Sequence, residues 1–198
     1  MSALSVDHTS GHSDEWDEAV RLWEETDAPE GCKVEIIEGI VTVSPPPANN
    51  HNEIAELVHR RLYSVTPEHW GVYQTLGVAI PSRTSLFMPD LTVVAREVVR
   101  ADGRGNYVPA AATELVVEVT SRSNANQDRI VKAGLYAWAR APLYLLVDRF
   151  SPGGPTATLY GEPRRDLYRV LSTVKFGEEL HLPKPFELTL DTSVWPTD

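Results

Sequence analysis

The chain alternates between helical and strand-like apolar patterns, which predicts a mixed α/β or α+β domain with helices packed on a mixed sheet. Segments with an apolar residue every three to four positions are separated by short, valine-rich runs. Two of these runs, residues 115–120 and 143–147, flank a helical pattern, and that order favours a parallel pair joined by a right-handed crossover. A length of 198 residues suits one domain.

The first half of the chain predicts two helices around a pair of strands. Residues 14–27 place Trp16, Val20 and Trp23 on one helical face, with Ser13 as a plausible N-cap. Residues 34–43 read as two short strands that turn at Gly39, and the prolines at 45–47 end the pair. Residues 50–64 carry an apolar stripe and predict the second helix.

The second half predicts a sheet interrupted by one helix. A strand over residues 72–80, bulged at Gly77, precedes two valine-rich central strands at 91–95 and 115–120. Residues 101–112 read as a long loop between those two. The third helix is predicted over 126–140, capped by Asn124 or Asn126. The chain then continues with a strand at 143–147 and a turn at 151–155. It is completed by a hairpin of 156–160 with 167–174 and by one or two closing strands within 180–190.

Composition narrows the class of protein. No apolar run approaches the roughly 20 residues of a membrane span. Residues 1–13 are polar, so we expect a disordered tail there rather than a secretory signal, followed by a single domain over 14–198. The only cysteine is Cys32, which excludes an internal disulfide and a thiolate zinc cluster. A reducing cytoplasm is the expected compartment.

The charge of the chain is unevenly distributed. The net charge is -10. Residues 1–40 hold eleven acids and two bases, whereas the remainder holds seventeen acids and sixteen bases. The body of the domain is therefore nearly neutral, which softens the objection that nucleic-acid-binding proteins are usually basic. The acidic N-terminal segment is expected to contact a partner or second subunit, or to oppose DNA, so deleting residues 1–28 should strengthen DNA binding.

Two carboxylates and a lysine follow one another on three predicted elements. Asp90 opens the strand at 91–95, Glu118 interrupts the apolar run at 115–119, and Lys132 lies in the helix that follows. Carboxylates on adjacent strands can hold one hard divalent cation, and a nearby ammonium can orient water or phosphate. This set suits metal-assisted hydrolysis of a phosphodiester.

Each of these residues also has a simpler interpretation. Asp90 after a proline is a common turn cap. Glu118 would face solvent if its strand lay at the edge of the sheet. Lys132 lies four residues after Asp128, a spacing typical of a surface ion pair on a helix. When Lys132 is considered without the two acids, the surface ion pair is the favoured interpretation.

The ordered set of motifs resembles the Uma-two family of restriction-endonuclease-like proteins, over most of residues 30–190. The shared residues are Val34-Glu35-Ile36-Ile37-Glu38-Gly39, Ser44-Pro45-Pro46-Pro47, His51, Pro89-Asp90-Leu91, Leu115-Val116-Val117-Glu118-Val119-Thr120-Ser121, Asp128, Lys132, Tyr136 and Tyr144-Leu145-Leu146-Val147-Asp148. The resemblance implies the PD-(D/E)xK nuclease fold, with a divalent metal held by the two carboxylates. The usual signature lysine, two residues after the glutamate, is here Thr120, so the resemblance implies a migrated lysine, Lys132.

These observations predict a Mg²⁺- or Mn²⁺-dependent DNA endonuclease that hydrolyses phosphodiester bonds. Asp90 and Glu118 are the predicted metal ligands, with the backbone carbonyl of Val119 as a third, and Lys132 positions the attacking water. The rival hypothesis is a non-catalytic nuclease fold that serves in oligomerisation or partner binding. Metal affinity would favour the first hypothesis, and a dry ion pair between Glu118 and Lys132 would favour the second. The expected partners are DNA, as substrate, and a second copy of the chain in a homodimer.

Four further polar residues are weaker candidates. Glu35 is the chosen third acid, and Tyr136 lies one helical turn beyond Lys132 on the same predicted face. His51 fits the family pattern, but capping of the second helix or solvent exposure is the favoured interpretation. Asp148 ends a strand and is expected to cap a turn.

Overall fold

The computed structural model describes residues 10–101 and 105–197. In that part of the chain, thirteen strands form sheets of five, six and two strands. The strands are β1 (Lys33–Ile37), β2 (Ile40–Ser44), β3 (Trp70–Tyr73), β4 (Gly77–Ile80), β5 (Ser85–Phe87), β6 (Leu91–Ala95), β7 (Tyr107–Pro109), β8 (Thr113–Val119), β9 (Leu143–Asp148), β10 (Thr156–Arg164), β11 (Leu167–Lys175), β12 (Glu179–Leu182) and β13 (Leu188–Asp191). The α-helices are α1 (Ser10–Glu25), α2 (Asn49–Val65), α3 (Arg96–Ala101) and α4 (Ala133–Trp138). The mixed α+β prediction is confirmed.

The six-stranded sheet has the order β11-β10-β9-β8-β6-β3. Strands β8 and β9 are parallel, as predicted, and the other pairs are antiparallel. A π-helical segment, Gln127–Lys132, runs directly into α4 and makes the crossover between β8 and β9. The five-stranded sheet has the order β2-β1-β5-β4-β7.

Side-chain alternation along β8 divides the core into two layers. Leu115, Val117 and Val119 pack with the apolar stripe of α2 and with the β12–β13 hairpin. Val116 points the opposite way, into a second cluster formed with α4 and the five-stranded sheet. Glu118 shares the face of Val116, so its carboxylate lies between the two large sheets.

The secondary structure predicted for two segments in the middle of the chain was wrong. Residues 72–80 form two strands, β3 and β4, which belong to different sheets. Gly77 begins β4 in parallel pairing with β7, and a Cβ there would lie 2.8 Å from the Asn106 carbonyl oxygen. Glycine is therefore required by the close approach of the neighbouring strand, rather than by a bulge. The predicted loop at 101–112 contains β7 and a 3₁₀ turn at Ala110–Ala112.

The helix boundaries also differ from their predictions. Helix α1 begins at Ser10, so Ser13 lies inside the helix and is not its cap. The disordered tail predicted over residues 1–13 was wrong from Ser10 onward, where α1 begins, and its residues 1–9 lie outside the described residues. Neither asparagine caps the third helix as predicted. Asn126 makes no side-chain capping bond, and the Asn124 amide donates to Ser44 instead. Across residues 10–101 and 105–197, no helix has the length and apolar character needed to cross a membrane.

Candidate active site

Asp90 and Glu118 face each other at the ends of two neighbouring strands. In the antiparallel β6–β8 pair, Leu91 lies opposite Val117, so one further step sets Asp90 opposite Glu118. Both residues are buried, at 8% and 2% exposure. Both line a cleft of about 210 Å³ between the sheets, which Lys132 also lines. The structure thus brings together the three residues on which the sequence hypothesis rests.

Asp90 is surrounded by nitrogen donors. Its Oδ1 accepts a hydrogen bond from the Lys33 ammonium. Its Oδ2 accepts from the Val119 backbone N–H at 2.7 Å and lies 3.1 Å from His51 Nε2. Burial opposes ionisation, but His51 and Lys33 outweigh it and hold the pKa of Asp90 well below its usual range. Asp90 is therefore a carboxylate at neutral pH.

Glu118 shares its one ammonium partner with two other acids. Its Oε1 accepts from Lys132 Nζ at 3.0 Å and from the Tyr136 hydroxyl at 3.1 Å. The same Nζ lies 2.9 Å from Glu35 Oε1 and 3.4 Å from Asp128 Oδ1. One ammonium thus serves three carboxyl groups. Burial raises the pKa of Glu118 to about 8.

The acids around Lys132 come from separate parts of the fold. Glu35 lies on β1 of the five-stranded sheet, where its Oε1 also accepts from the Met88 backbone N–H at 2.8 Å. Asp128 lies in the π-helical segment, and burial raises its pKa to about 6. Burial acts to lower the pKa of Lys132, but the carboxyls of Glu118, Glu35 and Asp128 outweigh it and hold that pKa well above its usual value. Lys132 therefore remains charged although it is only 3% exposed.

The π-helical segment explains how both Asp128 and Lys132 reach the cleft. A π-helix closes i→i+5 hydrogen bonds, so its turns are wider than those of an α-helix, and such turns are frequent at functional sites. The Tyr144 hydroxyl donates to the Asp128 carbonyl oxygen at 3.0 Å and ties the segment to β9. Asp128 and Lys132 are both buried, at 3% exposure each.

Three simpler interpretations from the sequence were wrong. Glu118 does not face solvent at a sheet edge, because β8 lies between β6 and β9. Lys132 is not in a surface ion pair, although Asp128 is one of its partners. His51 neither caps α2 nor faces solvent; it is 5% exposed and contacts Asp90. Glu35 and Tyr136 both lie against the Lys132–Glu118 pair.

Sequence reasoning missed Lys33 and undervalued Asp128. Lys33 stands two residues before Glu35 on β1, so strand alternation places the two side chains on one face. That signal was present in the sequence. The sequence places Asp128 in the family pattern but gives it no role beyond a surface partner of Lys132, because an α-helical pattern does not reveal a π-helical turn.

Thr120, which stands at the usual lysine position, has a structural role. Its hydroxyl accepts from the Arg149 backbone N–H at 3.0 Å and donates to Asp148 Oδ1 at 3.3 Å. Asp148 also accepts from the Phe150 backbone N–H, so it caps a turn as predicted, and it pairs with Arg129. This position therefore ties β8 to the end of β9 and leaves the ammonium to come from Lys132.

The charge in the cleft suits a divalent cation. Glu35, Asp90, Glu118 and Asp128 carry four formal negative charges when ionised, whereas Lys33 and Lys132 carry two positive charges. The deficit of two equals the charge of one Mg²⁺ or Mn²⁺, and carboxylate oxygen is the ligand that such hard cations prefer. Among the described residues, no group of three or more His, Cys, Asp or Glu side chains is placed to hold a metal ion. A site with only two carboxylates does not conflict with that finding. Mg²⁺ is usually bound by one or two carboxylates and takes its other ligands from water, phosphate or backbone.

Comparisons with known proteins agree with the fold. Residues 16–194 match the family model described as "Uma2: Putative restriction endonuclease". A solved structure from Anabaena variabilis ATCC 29413, described as a "putative nuclease belonging to DUF820", superposes with a TM-score of 0.62. That similarity covers 90% of this chain and 94% of the other at 17% sequence identity, so it demonstrates the fold alone. No curated protein matches the sequence.

Proposed function

Since the chain belongs to the Uma2 family and has a restriction-endonuclease-like fold, we propose that it is a metal-dependent endonuclease that hydrolyses phosphodiester bonds in DNA. One observation carries the proposal. Asp90 and Glu118, from adjacent strands, line one buried cleft. When all four carboxyls of this cleft are ionised, their negative charge exceeds the positive charge of its two ammonium groups by two. A divalent cation supplies that charge, and a phosphodiester is a substrate on which such a cation acts.

Three residues would hold the cation. Asp90 and Glu118 would supply carboxylate oxygens, and Val119 a backbone carbonyl. When bound, Mg²⁺ or Mn²⁺ supplies Lewis acidity toward phosphate oxygens and lowers the pKa of coordinated water. The His51 and Val119 N–H contacts orient Asp90 for this purpose.

Lys132 would act on the substrate rather than on the cation. Its ammonium lies 3.0 Å from Glu118 Oε1 and lines the cleft. A group held there can orient a water and offset the negative charge that develops on the phosphate during attack. Tyr136 and Glu35 would hold Glu118 and Lys132 in place through the contacts described above.

Cleavage assays with matched variants test the proposal. Mixed double-stranded and single-stranded DNA, with RNA in parallel, is incubated with the protein in Mg²⁺, in Mn²⁺ and in EDTA. We expect DNA cleavage in either metal and none in EDTA, with Asp90→Asn and Glu118→Gln inactive. Glu179→Gln, which removes an exposed acid on β12, is the control and should remain active. Equal cleavage by Glu118→Gln would contradict the proposed site.

A second function is favoured by one observation. The Lys132–Glu118 ion pair is buried, with both side chains 3% exposed. This contact is the one expected of a non-catalytic nuclease fold that acts in oligomerisation or partner binding. The two functions differ in metal affinity, because only the nuclease requires it. Light scattering of the purified chain, alone and with Mg²⁺, would reveal the homodimer that the second function requires.

The acidic N-terminal segment is proposed to weaken DNA binding. Trp16 and Val20 of α1 pack on the five-stranded sheet, and Trp23 Nε1 donates to the Val34 carbonyl at 2.8 Å. Deleting residues 1–28 would therefore remove packed surface as well as charge. Neutralising exposed acids separates the two effects: Asp14→Asn, Asp17→Asn and Glu24→Gln together.

The triple variant should bind DNA more tightly at low salt, because long-range repulsion is screened over about 8–10 Å at physiological ionic strength. Fluorescence anisotropy at two salt concentrations measures the gain. Glu97→Gln, Asp166→Asn and Glu179→Gln, which neutralise three exposed acids elsewhere, form the matched control. An equal gain in the control would mean that total charge, rather than α1, opposes DNA.

The single cysteine supports the proposal of a reducing, cytoplasmic compartment.

A further inference from the structure

Lys33 contacts the Asp90 oxygen through which a cation can be bound. A carboxylate has two oxygens with about two acceptor sites each. Oδ2 of Asp90 already has two nitrogen partners, the Val119 N–H at 2.7 Å and His51 Nε2 at 3.1 Å. Among the residues that the structure describes, Oδ1 has one hydrogen-bond partner, the Lys33 ammonium. Further coordination by Asp90 must therefore use Oδ1, beside or in place of Lys33.

The position of Lys33 allows its ammonium to leave Asp90 without disturbing the fold. The Lys33 side chain is 26% exposed, whereas that of Asp90 is 5% exposed. Lys33 is the first residue of β1. Its side chain lines the acidic cleft and also a neighbouring cavity of about 570 Å³, whose walls include Trp23, Val34 and Met88. A rotation of a flexible four-carbon stem can carry the charge from one cavity toward the other.

Lys132 has a different relation to its carboxylate. Lys132 and Tyr136 both donate to Oε1 of Glu118. Within the described part of the chain, no hydrogen bond reaches Oε2. Lys132 therefore leaves one Glu118 oxygen for a cation, whereas Lys33 contacts the corresponding oxygen of Asp90. The two lysines of the cleft are not equivalent.

We infer that Lys33 is an internal cation that competes with the divalent metal for Asp90 Oδ1 and thereby sets the metal affinity of the site. The inference rests on the proposed function, because it requires that the cleft binds a metal. An ammonium and a divalent cation on one oxygen repel each other strongly in a buried site. Metal binding thus requires the Lys33–Asp90 contact to open, and the metal affinity is reduced by the fraction of molecules in which that contact is closed.

A titration with Mn²⁺, followed by the electron paramagnetic resonance signal of the free ion, measures this competition directly. It reports metal binding itself and does not depend on cleavage activity. Lys33→Met removes the charge and keeps a similar length. Lys33→Arg keeps the charge, and Lys175→Met removes an exposed lysine on β11 as the matched control. Asp90→Asn identifies any binding elsewhere.

Lys33→Met should bind Mn²⁺ about tenfold more tightly than the wild type, as expected if the contact is closed about 90% of the time. Lys33→Arg and Lys175→Met should show no gain. Binding by Lys33→Met alone, without detectable binding by the wild type, would also support the inference. Equal or weaker binding by Lys33→Met would overturn it and leave the metal site intact. Absence of binding in every variant would overturn the proposed nuclease function as well.

Discussion

Asp90 and Glu118 lie opposite each other across two strands, yet their surroundings act on negative charge in opposite directions. Asp90 has three nitrogen partners, and its pKa is held well below the usual range. Glu118 shares a single ammonium with Glu35 and Asp128, and burial raises its pKa to about 8. Both carboxyls are buried, so the difference arises because Asp90 has three nitrogen partners, whereas Glu118 lies near other carboxyls and shares its ammonium with two of them.

This asymmetry divides the cleft into a half in which Asp90 stays ionised and a half in which one ammonium is shared among three carboxyls. Paired carboxyls whose pKa values are pushed apart by their environments commonly take different chemical roles. Asp90 is suited to hold a cation at any pH near neutrality. Glu118 is suited to become fully ionised when a cation arrives. The comparison therefore predicts that proton release accompanies metal binding on the Glu118 side.

The largest expected effect comes from removing Lys132. Lys132→Met leaves Glu35, Glu118 and Asp128 without their shared ammonium, and breaking a buried ion pair in this way costs about 3–5 kcal/mol. Urea unfolding at pH 7.5 measures the loss, which should shrink at pH 5 as the carboxyls become protonated. Lys175→Met should change stability by less than about 0.5 kcal/mol. A similarly small cost for Lys132→Met would mean that the three acids do not depend on Lys132.

Neutralising each carboxylate in turn should give unequal costs. Asp90→Asn removes charge-assisted contacts with Lys33 and His51 and should cost about 2 kcal/mol in the metal-free protein. Glu118→Gln should change stability by less than about 1 kcal/mol at pH 7, because a carboxyl with a pKa of about 8 is mostly protonated there. Both variants should lose the rise in melting temperature that Mg²⁺ gives the wild type. Equal costs would refute the asymmetry.

The metal-free protein should lose stability as pH rises from about 5 to about 8. The usual pKa values of Glu118 and Asp128 are 4.5 and 3.8, and burial raises them to about 8 and about 6. Above pH 5 the unfolded chain has released these protons while the folded chain still retains them, so stability falls with pH, by on the order of 1 kcal/mol per pH unit for each group that is still protonated. Asp90 has a lowered pKa and contributes no change in this window.

Chemical unfolding at intervals of half a pH unit measures this slope. Glu118→Gln should flatten it, and Asp90→Asn should leave it nearly unchanged. A stability that rises across the same window would show that Glu118 is ionised in the folded protein.

The smallest expected effect comes from one hydroxyl. Tyr136→Phe removes a donor to Glu118 and keeps the ring that packs on Phe87. A single hydrogen bond contributes about 0.5–1.5 kcal/mol, and the partly protonated Glu118 should place this one at the low end. Thermal melts compare the variant with Tyr63→Phe, an exposed tyrosine. A cost above about 2 kcal/mol would mean that Glu118 depends on Tyr136 as strongly as Asp90 depends on its own donors.

The strands that carry the two carboxylates were predictable because their sequences are dense in valine and leucine. Strand β6 coincides with the predicted range 91–95, and β8 lies within two residues of its predicted start. The pairing of Asp90 with Glu118 followed from those two strands being adjacent. Local apolar pattern was sufficient here, since central strands are buried on both faces.

The rest of the site depends on contacts between distant parts of the chain. His51 is buried because α2 packs its start against Asp90, and nothing within α2 itself indicates that contact. The π-helical turn that directs Asp128 and Lys132 inward has the same apolar spacing as an α-helix. The split at Gly77 depends on the approach of Tyr107, thirty residues later. Lys33 could have been predicted from the sequence, because strand alternation places its side chain on the same face of β1 as that of Glu35.

The Glu35–Lys132 ion pair also bears on the order of folding. Its partners are separated by 97 residues and belong to different layers, so the pair can form only after the two large sheets have docked. A contact of such long sequence separation can stabilise the chain only after the entropy cost of closing the intervening loop has been met. We therefore expect φ-values near zero at Glu35 and Lys132, with substitutions there accelerating unfolding and leaving the refolding rate almost unchanged.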